Sequence, residues 1–205
     1  MFMKNKVFNL IKCTLNSNIR SCSGSLSFLS KRTLSTSSQE TIEYSVVEPI
    51  YKITYPKRTF PDTIIKPHYS DDGQPRKHYD GNIVKSLQQI KMIADACRIA
   101  KTICMTVGKE LKPGMTCEDI DDRVYELCLQ HKVYPSPLNY SGFPKCVTTS
   151  VNNIAVHAIP DQRPLEEGDI ISIDVSVFKN GFHGDCCHTF SVGQKCDIQA
   201  KHLVG

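Results

Sequence analysis

The sequence predicts an α+β fold in which an antiparallel sheet is backed by helices. From Gly168 to Gly193 it reads as one β-hairpin, with apolar and polar residues in strict alternation. Two upstream segments repeat apolar residues at three- and four-residue steps, the pattern of amphipathic helices that cover a sheet. With 40% hydrophobic and 22% charged residues, the composition is that of a globular protein, and no window supplies the roughly 20 apolar residues of a membrane span. A chain of 205 residues has room for one domain and an extension.

The extension comes first. Residues 1–39 contain Lys4, Lys6, Lys12, Arg20, Lys31 and Arg32 and no acid, a charge of +6 in a chain whose net charge is +4. Residues 40–205 therefore carry −2, which gives no electrostatic case for nucleic-acid binding. The leader is rich in Ser and Thr, and Phe2, Val7, Phe8, Leu10 and Ile11 are scattered along it. This is the composition of a mitochondrial transit peptide; the continuous apolar core of a secretory signal is missing. The destination expected is the mitochondrial matrix. The ten cysteines include no C-x-x-C pair, and the adjacent Cys186 and Cys187 would face opposite sides of a strand. They read as reduced, mostly buried small hydrophobes, and a structural zinc site is not expected.

Residues 40–80 bear Pro49, Pro56, Pro61, Pro67 and Pro75 without helical period, and read as an extended arm or linker. A helix is expected over about 82–107, with Ile83, Leu87, Ile90, Ala94, Cys97, Cys104 and Val107 on its apolar stripe. Lys112-Pro113-Gly114 breaks it. Thr116 and Asp119 then resemble a capping box, opening a helix that buries Ile120, Val124 and Leu127 and stops near His131. A loop from Tyr134 holds Tyr140, Gly142 and Phe143, and a strand-like run from Val151 to Val156 leads to His157. Taken alone, the two rings read as core packing and the histidine as structural.

In the hairpin, Ile171, Ile173, Val175 and Val177 point one way and Ser172, Asp174 and Ser176 the other. Asn180-Gly181 suits a two-residue type I′ turn. That turn sets Lys179 opposite Phe182 and Asp174 opposite Cys187, so Asp185 shares a face with Asp174 one diagonal step away. Diagonal neighbours lie roughly 7–8 Å apart. Two half-buried carboxylates that close repel unless a cation sits between them, and a divalent metal is the simplest. The alternatives are a solvated polar face, or a bulge that would part the two residues.

The phrases GDIISIDV and NGFHGD, preceded by YPSPLNYSGFPKCVTTSVNNIAVHAIPD, resemble the type 1 methionine aminopeptidases, most of all the mitochondrial form. The resemblance runs from about Ile65 to Gly193. It implies the pita-bread fold, a curved antiparallel sheet backed by helices in two similar halves, of which residues 81–205 would supply the N-terminal half. It also implies removal of N-terminal methionine by metal-assisted hydrolysis of the first peptide bond. Asp174 and Asp185 would be metal ligands, His157 the residue that hydrogen-bonds substrate near the scissile amide, and Tyr140 and Phe143 the methionine pocket. Asn152 resembles a backbone-organising or monovalent-cation position. The complete site would hold two divalent ions (Co, Zn, Mn or Fe), with a His and two Glu contributed by the second half. The partner implied is the N-terminal Met of a peptide or protein, and the oligomeric state a monomer. The other readings are a catalytically incomplete fragment, a non-catalytic peptide-binding relative, and a related proline-specific dipeptidase. Two departures stand near the substrate: Thr148 where many relatives have Cys, and Ala158 after His157 where Gly is usual.

Overall fold

The computed structural model describes residues 46–48, 50–76 and 83–204, and Val46 onward forms one compact unit. The expected transit peptide lies outside the described residues.

Helix α1 (Leu87–Glu110) begins at Ser86, whose hydroxyl accepts the Gln89 N–H while the Gln89 side chain accepts the Ser86 N–H. This capping box replaces the start expected near Asn82. The expected apolar stripe is also corrected in its first half. Ile83, Leu87 and Ile90 are exposed, and the buried face is Ala96, Ala100, Ile103, Cys104 and Val107. Where the helix is buried it packs closely on the sheet. A Cβ on Gly184 of the sheet would lie 2.2 Å from backbone atoms of Ala96 and Cys97, and a Cβ on Gly108 of the helix would lie 2.2 Å from the Phe190 ring. Small residues let the helix down onto the sheet where large apolar ones would hold it off.

Helix α2 (Cys117–Gln130) follows the expectation closely. Thr116 and Asp119 form the reciprocal box at 3.1 and 2.7 Å, His131 is the C-cap, and Ile120, Val124 and Leu127 are buried.

The sheet is built around β3 (Ile170–Lys179). On one edge runs β4 (Phe182–Ser191), paired residue for residue from Lys179 opposite Phe182 to Ile170 opposite Ser191, with no bulge. Asn180 and Gly181 have φ of 50° and 87°, the two left-handed positions a type I′ turn requires. The other edge is shared end to end by the two-residue β1 (Tyr134–Pro135) and by β2 (Thr148–Val151), all antiparallel. Strand β2 stops at Val151 rather than running on to Val156, because Asn152 turns the chain at φ 50°. Ile171, Ile173, Val175 and Val177 are fully buried beneath α1, worth roughly 1.5–3 kcal/mol each against exposure. A short helix α3 (Ile198–Val204) packs beside β4. Among the described residues no helix is long and apolar enough to cross a membrane.

The described residues of 46–76 form no helix or strand and lie against the domain as an arm. Thr54 donates its N–H and hydroxyl to Glu118, Arg58 donates to Asp121 and Asp122, and the Tyr125 hydroxyl donates to Thr59 O at 2.6 Å. All eight described cysteines are free thiols, and five of them are buried.

Candidate active site

The face of the hairpin turned away from α1 is polar. Across it Ser172 pairs with Thr189, Asp174 with Cys187, Ser176 with Asp185 and Phe178 with His183. Asp174 and Asp185 thus stand one diagonal step apart, as the turn dictates. Ser172 and Thr189 join hydroxyls at 2.8 Å, and Ser176 donates its hydroxyl to Asp185 Oδ1. Nothing comparable reaches Asp174, whose Oδ1 is buried and accepts no hydrogen bond from the described residues. Burial first, and then the charge and contact of Asp185, push the Asp174 carboxyl above its ordinary range, with His157 pulling the other way. A buried orphan oxygen beside a second carboxylate is a donor set that fits a divalent cation, which would relieve both the desolvation and the repulsion.

Cys187 shares this face. Burial and then the two carboxylates raise its thiol above the ordinary cysteine range. His183 is held off the carboxylates, its Nδ1 hydrogen-bonded to Ser136 Oγ at 2.8 Å and its ring against Phe178. His188 faces the other side with Phe190. Among the described residues no group of three or more His, Cys, Asp or Glu side chains is placed to hold an ion.

His157 arrives by a backbone device. After β2 the chain turns at Asn152 and folds back, so that the Thr149 N–H donates to Ala158 O at 3.2 Å. His157 itself takes φ 58°, costing about 1–3 kcal/mol for a non-glycine residue, and its side chain is exposed near enough to Asp174 to bias its titration. The left-handed residue is the histidine. Ala158 after it needs no glycine freedom, so that departure leaves the backbone path open. Asn152 is an organiser here: its amide donates to Asp169 at 2.7 Å and accepts the Ile170 N–H at 3.0 Å, while the buried Arg163 holds Asp169 at 2.6 Å.

The loop from Ser136 to Val147 leaves the sheet at the gap between β1 and β2, with the Ser136 N–H donating to Ser176 O at 2.9 Å. Asn139, Ser141 and Gly142 all take positive φ, and this double reversal separates the two expected pocket rings. Tyr140 is 43% exposed and meets Tyr69 of the arm edge-on, with centroids 5.0 Å apart. Phe143 instead helps to line a cavity of about 460 Å³ between loop and arm, with Phe60, Tyr134 and Leu138; Tyr140 does not reach it. Lys145, 1% exposed, anchors the loop's far end to Glu118 at 3.1 Å, and the Cys146 N–H donates to Asp121 at 2.6 Å.

Residues 91–204 match the family described as Metallopeptidase family M24. The chain belongs to that family. Membership carries use of a divalent metal and agrees with the two-carboxylate face. Mouse "methionine aminopeptidase 1D, mitochondrial" is 46% identical over 166 residues, which are 81% of this chain and 49% of the mouse protein. The crystal structure of methionine aminopeptidase from Rickettsia prowazekii superposes with a TM-score of 0.53 at 37% identity, over 56% of this chain and 46% of that one. The methionine aminopeptidase from Thermotoga maritima gives 0.57 at 31% identity, over 60% and 49%. The described part of this M24-family chain therefore has the pita-bread architecture, an antiparallel sheet backed by helices, and the chain spans about half the length of the relatives it matches.

Sequence reasoning missed Ser176, Tyr69 and the Arg58–Asp121–Lys145–Glu118 cluster. Ser176 was legible from the turn, which places it opposite Asp185. The others depend on contacts between residues far apart along the chain and left no local signal.

Proposed function

We propose that the complete protein is a methionine aminopeptidase of the mitochondrial matrix, removing the N-terminal Met of organellar proteins by hydrolysis of the first peptide bond. The observation that carries this reading is the orphaned, buried Asp174 Oδ1 beside Asp185, in a chain 46% identical to the mouse enzyme. Asp174 and Asp185 would hold part of a site for two divalent ions (Co, Zn, Mn or Fe). When bound, such ions supply the Lewis acidity that polarises a carbonyl and activates water. The Asp pair, held apart from solvent on one side by the sheet, fixes where that charge sits. His157, held at a strained left-handed turn, is proposed to donate a hydrogen bond near the scissile amide, a role that imidazole can serve at neutral pH. Tyr140 and Phe143, although the loop reversal parts their rings, are proposed for the methionine side chain, since a thioether gains about 0.3–1.5 kcal/mol from a ring contact. A small second residue would be preferred. The protein is expected to act as a monomer, with no nucleic-acid partner.

The test joins metal content to kinetics in the full-length protein. Asp174→Asn or Asp185→Asn should lower metal content and release of Met from Met-Ala peptides together, by orders of magnitude. His157→Ala should lower turnover with metal retained. Full metal occupancy without any Met release from the unmutated protein would favour a peptide-binding relative without catalysis.

A further inference from the structure

The arm residue Tyr69 sits where the arm, the loop after β1 and the polar hairpin face meet. Its side chain is 2% exposed. Its ring meets Tyr140 edge-on at 5.0 Å and 88°, and stacks parallel to His183 of the polar hairpin face at 6.3 Å and 12°. Its hydroxyl donates to Ser136 O at 2.7 Å, at the point where the loop leaves the sheet. Burial holds that hydroxyl up to about 12, so it remains a donor at any working pH.

The same turn of the arm grips the loop at a second place. Asn139 donates its side-chain amide to Ser70 O at 2.9 Å, and Gly73 approaches so closely that a Cβ there would lie 3.2 Å from Asn139 O and Oδ1. Gly73 has φ 71°, so only glycine sits there without strain. The loop needs such support. Asn139 and Ser141 are non-glycine residues held at φ 61° and 51°, and next to them a cavity rather than packed core separates Phe143 from Phe60 and Ser70. Strained backbone persists only where its surroundings over-determine it.

We propose that Tyr69 is a positioning residue for the substrate pocket: the arm turn 68–73 is the outer wall that holds Tyr140 and its loop in place. This rests on the methionine aminopeptidase reading above, because the pocket it positions is the one assigned there. Tyr69 acts through Tyr140 and touches no reacting atom. Its loss therefore weakens binding of the methionine side chain in ground and transition state alike, which appears in KM and leaves kcat in place.

The experiment uses the full-length protein with Tyr69→Ala, Tyr69→Phe and Tyr69→Leu, the last retaining bulk in case Ala does not fold. Steady-state kinetics on a Met-Ala peptide are paired with amide hydrogen exchange of residues 139–143. Tyr69→Ala and Tyr69→Leu should raise KM about tenfold or more with kcat within about threefold, and should speed exchange in the loop. Tyr69→Phe, which keeps the ring edge and loses only the bond to Ser136 O, should restore most of the KM. Unchanged KM and unchanged exchange would overturn the proposal, and so would a fall in kcat alone or no rescue by Phe. An unmutated protein that releases no Met would instead sink the enzymatic reading. Loop exchange in the Tyr69 variants then decides the positioning role by itself: faster exchange supports it and unchanged exchange overturns it.

Discussion

Glu118 shows how single residues couple the arm to the rest. Burial raises its cost of ionising, yet hydrogen bonds from Thr54 N–H, the Thr54 hydroxyl and Lys145 more than offset this and hold its carboxyl down to about 2, against an ordinary 4.5. A depressed folded-state value contributes stability that is complete above the unfolded value and is lost as the carboxylate takes up its proton. The protein should therefore lose stability between pH 4.5 and about 2. In Glu118→Gln that acid limb should be flatter, at the cost of a lower plateau at neutral pH. Urea midpoints measured across that window check it; parallel curves for the two proteins would mean that Glu118 titrates normally in the folded state.

At the scale of elements, the contact between α1 and the hairpin decides the fold of the site. The polar face is free for chemistry only because the opposite face is sealed against the helix, and the seal is tightest at Gly184, next to Asp185 in the chain. A methyl group at Gly184 would meet helix backbone, which cannot rotate away as a side chain would. Gly184→Ala should therefore destabilise by at least the ~3 kcal/mol at the upper end of ordinary overpacking. Adding Ala96→Gly should not rescue it, since the clashing atoms are main chain. Chemical denaturation of both variants reads this out, and a Gly184→Ala protein of unmutated stability would show the helix free to lift.

At the scale of the molecule, the chain spans about half of its relatives, and its described residues bring two carboxylates to the polar face. A catalytic metal centre generally takes three or more protein ligands. Residues 40–205 expressed alone should thus release no Met from a Met-Ala peptide with added Mn²⁺ or Co²⁺, and turnover comparable to that of a full-length relative would refute this. The leader is tested separately. Fused to a fluorescent reporter, residues 1–39 should direct it to mitochondria, and replacing their six Lys and Arg by Gln should leave it in the cytosol.

What the sequence determined by itself was local. A two-residue Asn-Gly turn without a bulge sets the register of the hairpin, so the sequence alone assigns Asp174, Asp185, Ser176 and Cys187 to one face. The capping box at Thr116 and Asp119 likewise needs only four consecutive residues, and α2 begins where that box says. The tertiary structure decided what periodicity cannot see. An apolar stripe says which side of a helix is greasy, not how near a sheet can come; at α1 the sheet's Gly184 lies against the backbone of Ala96 and Cys97, while Ile83, Leu87 and Ile90 are exposed. Positive φ at Asn152 and His157 ended β2 early and turned the histidine back toward Asp174, a choice made by the Asp169 and Ser150 hydrogen bonds rather than by strand propensity. The arm, in which the sequence shows prolines and tyrosines without helical period, joins the candidate site through Tyr69. Its contacts to Ser136, Tyr140 and His183 join residues far apart along the chain, and such pairings exist only once the sheet has closed around them.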